Sequence, residues 1–196
     1  MDCECTEATR KVASALENLR VRFHLGGSLA SSFHGIPRAT LDADLVADLT
    51  PGQGQALCTA LGAEFYADAQ AMEEAIRDRR SFNVIHLRSM FKVDVFVVKD
   101  APFDRESFLR ARPVANALEG LMLLVATPED TVLHKLLWFK KGDETSDRQW
   151  SDLVGVLKVQ GARMDSAYMN RWAVELELEH LLGRAIVDAG LAGMGG

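Results

Sequence analysis

The spacing of hydrophobic and polar residues changes close to residue 127. Before that point, segments that alternate apolar and polar residues, the period of a β-strand, lie between segments with apolar residues every three or four positions, the period of a helix. After it, only the helical period continues. The pattern predicts a mixed region of strands and helices over residues 1–126 and a helical region over residues 127–196 that packs on it.

Within the first region, glycine and proline residues separate the predicted elements, because both residue types interrupt regular structure. We expect residues 82–87 and 91–98 to pair as a hairpin and residues 114–125 to form a second hairpin at the sheet edge. The predicted helices cover residues 6–20, 28–34, 53–61 and 69–80, and the predicted strands cover residues 21–25, 41–49, 82–87 and 91–98.

The second region is predicted to contain four helices. Thr127 is expected to cap the first of them, with Pro128 at its first position, where a missing N–H group does no harm. The later helices are expected over residues 146–160 and then as two further segments that reach residue 189. Trp138 and Trp150 fall at helical spacing with neighbouring leucines, so we interpret them as packing residues between helices and not as base-stacking platforms.

The composition of the chain argues against several classes of protein. The chain has 196 residues, a formal net charge of −6 and a pI near 5.4, so it carries no overall basic field of the kind that binds long nucleic acids. The longest apolar run, residues 121–126, is too short to cross a bilayer, and the acidic first residues exclude a standard signal peptide. We therefore expect a cytoplasmic protein without a membrane partner. Cys3 and Cys5 lack a second Cys/His pair at zinc-site spacing, which argues against a zinc site.

A glycine-rich turn supplies a candidate phosphate site. Gly26, Gly27 and Ser28 lie between a predicted strand and a predicted helix. A helix that starts this way offers backbone N–H groups and the positive end of its dipole to a phosphate. A simple tight turn explains the same residues, and the sequence alone does not choose between the two.

Three aspartates supply a candidate metal site. Asp42 and Asp44 are two residues apart on a predicted strand and so point to one face, and Asp94 lies on the polar face of a later strand. If the two strands are neighbours, the three carboxylates converge, at a cost of several kcal/mol unless a cation neutralises them. A divalent ion is the economical explanation. Solvated aspartates at strand ends are the competing interpretation.

Taken in this order, the glycine turn, the Asp-x-Asp pair and the later aspartate resemble the nucleotidyltransferase superfamily with a DNA polymerase β-type palm. The sequence around these motifs looks like that of the AbiEii-type toxin branch of this superfamily. Arg38 and Thr40 precede the aspartate pair, a Pro-Glu-Asp helix carries Lys135, and a following helix carries Arg148 and Asp152. The resemblance spans roughly residues 20–160. It implies an α+β fold, with a small mixed-sheet palm, flanking helices and a C-terminal helical part.

The resemblance implies transfer of a nucleoside monophosphate from an NTP to an acceptor, with Mg²⁺ or Mn²⁺ as cofactor. The acceptor would be an RNA such as tRNA, or a protein, and the enzyme would be the toxin of a toxin–antitoxin pair. The implied metal ligands are Asp42, Asp44 and Asp94, the implied catalytic residues are these three with Lys135 and Asp152, and the implied nucleotide-binding residues are Gly26, Gly27, Ser28, Arg38 and Thr40.

Other interpretations stay open at this point. The chain could be a non-catalytic nucleotide-binding or protein-interaction module that keeps the nucleotidyltransferase fold, or a structural metal-binding domain. Arg38 and Arg148 are explained equally well as structural ion pairs, and Lys135 as a solvated helix residue. A local basic rim would favour an RNA acceptor, and its candidate members are Arg77, Arg79, Arg80, Arg88 and Lys92.

Overall fold

The structure is a computed structural model that describes residues 3–40, 42–118 and 121–191, with the side chains of residues 3–5 and 116 outside the description. The expectation about Cys3 and Cys5 therefore lies outside the described side chains. The described helices are α1 (Cys3–Asn18), α2 (Gly27–His34), α3 (Gln53–Leu61), α4 (Ala69–Arg77), α5 (Pro102–Arg110), α6 (Pro128–Lys141), α7 (Asp147–Gln160), α8 (Ser166–Glu175) and α9 (Glu179–Asp188).

The strands of the described chain form one mixed sheet of seven strands in the order β3-β4-β5-β2-β1-β7-β6. The neighbours β2 and β5 run parallel, as do β1 and β7, and the other neighbouring pairs are antiparallel. Both predicted hairpins are confirmed. The strands are β1 (Phe23–Leu25), β2 (Asp42–Ala47), β3 (Phe65–Tyr66), β4 (Ser81–His86), β5 (Phe91–Val97), β6 (Arg112–Leu118) and β7 (Leu121–Val125).

The chain divides into two compact units. The first contains Met1–Gly26 and Ala39–Val125, and the second contains Gly27–Arg38 and Ala126–Gly196. Helix α2 belongs to the second unit because it packs against α6 and α7, although it lies early in the sequence. The chain therefore passes from one unit to the other three times, at Gly26, after Arg38 and after Val125.

Strict alternation of residues organises the core of the first unit. On β2 and β5 every second residue is buried, and helix α1 packs on both strands. The side chains of Ala43, Leu45, Val93 and Val95 are completely buried. Successive side chains of a strand point to opposite faces, so the residues between these positions lie on the other face of the sheet. The intervening positions include all three candidate aspartates.

The helices of the second unit begin as the sequence predicts. Thr127 caps α6 by accepting a hydrogen bond from the backbone N–H of Asp130, and Pro128 occupies the first turn. Glu129 and Asp130 are buried and tie this helix to α8, since Glu129 accepts a bond from the N–H of Asp165. The Pro-Glu-Asp motif thus has a structural role at the helix start. None of the helices in the described ranges is long and apolar enough to cross a membrane.

Trp138 and Trp150 differ from each other in their surroundings. The ring of Trp150 lies 4.9 Å from that of Phe139, and its Nε1 donates to Asp188. This confirms the packing interpretation for Trp150. Trp138 is 50% exposed, so only part of its side chain can pack between helices. Helical spacing with leucines does not fix which side of a residue faces solvent when the apolar stripe is as broad as it is on α6.

Helix α5 and strand β3 were not predicted, and helix α4 was predicted too long. Helix α5 has a weak apolar pattern in which charged residues surround the buried Phe103 and Phe108, and β3 has only two residues. Helix α4 ends at Arg77, three residues before the predicted limit, because Arg79 adopts a positive φ of 51°. A left-handed residue cannot continue a right-handed helix.

Gly35 provides a test of the packing between α2 and α7. A Cβ at this position would lie 2.7 Å from the backbone N of Val156 and 2.8 Å from the backbone carbonyl carbon of Gly155, atoms that cannot move independently of α7. We expect Gly35→Ala to lower the free energy of unfolding by about 1–3 kcal/mol. Gly183→Ala on α9, where no atom lies within 4 Å of the new Cβ, should be neutral or stabilising. Urea denaturation measures both, and equal effects would contradict the packing account.

Candidate functional site

The parallel pairing of β2 with β5 brings the three aspartates together. Asp44 pairs directly with Asp94 in the register of the two strands, and Asp42 lies two residues before Asp44 on the same face. All three positions are partly exposed, in contrast to the buried residues between them. Neighbouring strands are about 4.8 Å apart. The convergence predicted from strand alternation is therefore present in the backbone of the first unit.

A lysine lies among these carboxylates. Lys92 pairs with Asp42 in the strand register and precedes Asp94 by two residues, so it shares their face. Its Nζ lies 2.7 Å from Oδ2 of Asp94. This hydrogen bond raises the pKa of Lys92 above its ordinary value, and the charges of Asp94, Asp42 and Asp44 add to the rise despite some burial. One cation thus already offsets part of the acidic charge.

The strand that carries Asp42 is held at its start by local contacts. The hydroxyl of Thr40 lies 2.6 Å from the carbonyl oxygen of Asp42 and 3.1 Å from its carboxylate Oδ1, and both oxygens can accept its proton. Thr40 is itself buried. Gly26 donates its backbone N–H to the carbonyl oxygen of Asp44, with a length of 2.9 Å. In this structure Thr40 contacts Asp42, which gives it a clear part in orienting that carboxylate.

The donor chemistry of the cluster fits a divalent ion, because Mg²⁺ and Mn²⁺ prefer carboxylate oxygens and the register places three carboxylates side by side. The side chains themselves are not set in a ligand geometry. Within the described residues, no three His, Cys, Asp or Glu side chains are grouped so that they could hold a metal ion. Metal binding at this face would require the carboxylates to turn towards a common point.

The second unit contains a different cluster, centred on the carboxylate of Asp152 on α7. Arg38 holds this carboxylate with two bonds, from Nε to Oδ1 and from Nη2 to Oδ2, both 2.7 Å long. Lys135 on α6 donates to the same Oδ2 at 2.9 Å and to the side-chain oxygen of Gln149 at 3.0 Å. Lys135 is buried, which excludes its interpretation as a solvated helix residue.

This cluster reaches the start of helix α2. Nη2 of Arg38 also donates to Oγ of Ser28, at 2.9 Å. The helix begins at Gly27, which has a positive φ of 47°, a conformation that glycine adopts at little cost. Arg38, Lys135 and Asp152 together contain two cations and one carboxylate. A helix start beside a set with excess positive charge is a favourable place for an anion.

The ion pairs determine the protonation state of Asp152. Burial alone raises the pKa of this carboxyl group, but the hydrogen bonds and charges of Arg38 and Lys135 outweigh burial, so its pKa is lowered. The Asp152 side chain is only 6% exposed. Asp152 therefore stays ionised at neutral pH and acts on its two cationic partners, which is a positioning role for a residue predicted to be catalytic.

The predicted basic rim of the first unit is largely paired with acids. Arg79 lies 3.6 Å from Asp48, and Arg80 lies 2.7 Å from Asp78. Arg88 pairs with Glu7 at 2.6 Å, and Lys92 pairs with Asp94 as described. These pairs bring the surface close to neutral. The backbone N–H groups of Gly52 and Gln55 lower the pKa of the Glu73 carboxyl group, and the charge of Arg77, one helical turn away, lowers it further by a smaller amount.

The cavities of the first unit lie away from the candidate site. Two surface cavities, of about 290 and 250 Å³, are lined by residues of α1, α3 and the β3–β4 region, including Lys11 and Glu64. Arg88 of the predicted basic rim lines the smaller one, and none of the candidate metal, catalytic or nucleotide-binding residues lines either. Gln149 was missed by sequence reasoning, although it lies one turn before Asp152. Lys92 was considered only as part of a basic rim. Its spacing of two from Asp94 is the signal that could have identified it as a member of the carboxylate cluster.

Comparison with known proteins supports the fold. No family model matches the chain, and no curated protein matches it. Among solved structures, that of the antibiotic-resistance factor ANT(2'')-Ia in solution has a TM-score of 0.51 at 15% identity, over 92% of this chain and 99% of that one. The crystal structure of ANT(2'')-Ia with adenylyl-2''-tobramycin has a TM-score of 0.51 at 12% identity, over 89% and 98%.

A third solved structure is similar in the same way. An antigenic nucleotidyltransferase-like protein from Paracoccidioides brasiliensis has a TM-score of 0.55 at 14% identity, over 96% of this chain and 94% of that one. The fold of this chain is therefore a nucleotidyltransferase-like fold, as the sequence predicts. The similarity extends over nearly the whole length of all the chains compared.

Removal of the Asp152 charge tests its positioning role. Asp152→Asn leaves the buried Lys135 ammonium and the Arg38 guanidinium without their carboxylate. We expect the free energy of unfolding to fall by about 3 kcal/mol, since a buried charge loses its partner. Asp147→Asn, an exposed change in the first turn of the same helix, should alter it by about 1 kcal/mol at most, the size of a helix-dipole contribution. Chemical denaturation at pH 7 compares the two, and a loss of stability no larger for Asp152→Asn would contradict the positioning role.

The lowered pKa of Asp152 also predicts a pH dependence. A group with a lowered pKa in the folded state contributes stability above its unfolded pKa of about 3.9, and this contribution is lost as pH falls through the folded value. The stability difference between the wild type and Asp152→Asn should therefore be constant near pH 7 and shrink below about pH 4. Denaturation curves from pH 7 to pH 2.5 measure this, and a constant difference over that range would show that the carboxylate charge is not the cause.

Proposed function

We propose that the protein is a nucleotidyltransferase that moves a nucleoside monophosphate from an NTP to an acceptor hydroxyl group, with the help of a divalent metal ion. The observation that carries the proposal is the pairing of Asp44 with Asp94, with Asp42 on the same sheet face, in a nucleotidyltransferase-like fold. Clustered carboxylates at a partly exposed face of a sheet attract cations, and a metal ion that also contacts a triphosphate suits such a site.

Each residue has a role in the proposal. Asp42, Asp44 and Asp94 would hold Mg²⁺ or Mn²⁺, which supplies positive charge to the reacting phosphate oxygens when bound. Thr40 orients the Asp42 carboxylate. Asp94 would also accept the proton of the acceptor hydroxyl group. The oxygen of that hydroxyl group would bond to the α-phosphorus, and pyrophosphate would leave.

The residues of the glycine turn and the second unit have an electrostatic role. Gly26, Gly27 and Ser28 would receive the outer phosphates at the start of α2. Arg38 and Lys135 would supply positive charge, and Asp152 fixes the position of both side chains. Charge-assisted hydrogen bonds of this kind are stronger than neutral ones, and a prearranged set loses little entropy on binding.

The acceptor in the proposal is an RNA, such as tRNA, or a protein, and the activity is that of a toxin controlled by an antitoxin. A second candidate is a small acceptor. It is favoured by the near-neutral surface around Arg79, Arg80 and Arg88, which offers little attraction to a polyanion. It is also consistent with the adenylylated small molecule in the ANT(2'')-Ia complex.

A non-catalytic module with the same fold is the alternative in a different class. It predicts that nucleotides raise the melting temperature without any turnover, since a ligand that binds only the folded state stabilises it. A thermal-shift series with the four NTPs, with and without Mg²⁺ or Mn²⁺, detects binding. Release of pyrophosphate in the presence of candidate acceptors then distinguishes an enzyme from a binding module.

Neutralising the central aspartates tests the proposed reaction. Asp44→Asn and Asp94→Asn should each lower metal-dependent transfer of labelled nucleotide by about a hundredfold or more, since several kcal/mol of transition-state stabilisation are lost. Asp44→Asn should not be less stable, because mutual repulsion is reduced, and Asp94→Asn should lose at most about 1 kcal/mol with its partly exposed ion pair to Lys92. Asp104→Asn on α5 is the matched control and should retain activity. Full activity of Asp44→Asn with an RNA, protein or small acceptor that the wild type modifies would refute the proposed role.

A further inference from the structure

Lys92 occupies an unusual position for a lysine on a strand. It shares the face of the sheet with Asp42, Asp44 and Asp94, lies opposite Asp42 in the register, and bonds directly to Asp94. Its side chain is 42% exposed, whereas that of Asp94 is 18% exposed. The ammonium group is therefore in direct contact with one of the carboxylates, while a large part of the Lys92 side chain is open to solvent.

We propose that Lys92 is an internal counter-ion that competes with the divalent cation for the carboxylates of Asp42, Asp44 and Asp94, and so sets the metal affinity of the site. The inference rests on the proposed function, because it takes these three aspartates as the metal ligands. It goes beyond that function by assigning a specific role to a residue that neither binds the metal nor takes part in the transfer step.

The competition follows from the contact itself. A carboxylate oxygen that accepts a hydrogen bond from an ammonium group 2.7 Å away cannot offer the same lone pair to a metal ion. The positive charge of Lys92 also repels an approaching cation at short range. Both effects weaken metal binding for as long as Lys92 remains in place.

The Lys92 side chain can also move away from the carboxylates without destabilising the packing of its strand. Its four-carbon side chain is flexible and partly exposed, so the ammonium can turn into water when a doubly charged ion arrives. The buried residues on either side of it, Phe91 and Val93, hold the strand independently of this ion pair. Lys92 therefore offsets part of the acidic charge when no ion is bound, and its ammonium group can move away when an ion binds.

The test is a titration with Mn²⁺, with free ion measured by electron paramagnetic resonance. Lys92→Met should bind Mn²⁺ roughly tenfold more tightly than the wild type, because a nearby positive charge and a competing donor are removed. Lys92→Gln should shift affinity in the same direction and serves if the methionine variant does not fold. Lys92→Arg keeps the charge and should bind no more tightly than the wild type.

Lys99→Met is the matched control, since Lys99 is an exposed lysine just beyond the other end of β5 and loses the same charge. It should change Mn²⁺ affinity less than twofold, an estimate based on screening of distant surface charges at roughly physiological salt. A second measurement is the melting temperature. Without metal, Lys92→Met should melt below the wild type, and added Mn²⁺ should raise its melting temperature by more than it raises that of the wild type.

The possible results distinguish the counter-ion role of Lys92 from the proposed metal-dependent function on which it rests. Equal Mn²⁺ affinity in the wild type and Lys92→Met, with binding in both, would overturn the counter-ion role and leave the metal site intact. Weaker binding by Lys92→Met would overturn it as well, since the lysine would then assist the site. Absence of Mn²⁺ binding in every variant would refute both the counter-ion role and the proposed metal-dependent function.

Discussion

The parallel hydrogen-bonded register between β2 and β5 is the constraint on which the candidate site depends. It fixes Asp44 beside Asp94 and Lys92 beside Asp42, and it places Ala43, Leu45, Val93 and Val95 on the opposite face, in the core. A shift of one residue in either strand would bury the carboxylates and expose apolar side chains, at a large cost in free energy. The burial of the apolar face thus determines the geometry of the acidic face, and stability and proposed function are linked through one pair of strands.

The two units offset their clustered charges by different arrangements of side chains. In the first, three carboxylates are offset in part by the ammonium of Lys92, which is exposed enough to move. In the second, the carboxylate of Asp152 joins two cations in a nearly buried set that has little freedom to rearrange. Buried ion pairs of this kind seldom add much net stability, but they fix side chains in one arrangement. The structure therefore contains an adaptable acidic cluster and a rigid basic one, as expected if a metal ion and a phosphate group are their respective ligands.

Several features of the fold and of the candidate site could be predicted from the sequence, and each has a physical reason. Alternation on residues 91–98 indicated the face of Asp94, and Thr127 with Pro128 indicated the start of α6, because both signals are local. The bonds from Arg38 to Asp152 join residues 114 positions apart and have no local signature. Helix α5 was missed because its apolar residues are few, and helical spacing alone does not show that half of the Trp138 side chain is exposed. The place of Lys92 became clear only when the strand register showed which aspartates lie beside it.

The central claim is that the sheet face formed by Asp42, Asp44 and Asp94 binds a metal ion together with a nucleotide. Crystals grown with Mn²⁺ and a non-hydrolysable NTP analogue test it most directly, because anomalous scattering locates the manganese without ambiguity. The account predicts an anomalous peak at about 2.0–2.3 Å from carboxylate oxygens of these residues, with the Lys92–Asp94 bond broken and the triphosphate next to the ion. A bound nucleotide or manganese ion elsewhere on the protein, with the Lys92–Asp94 bond intact, would contradict it.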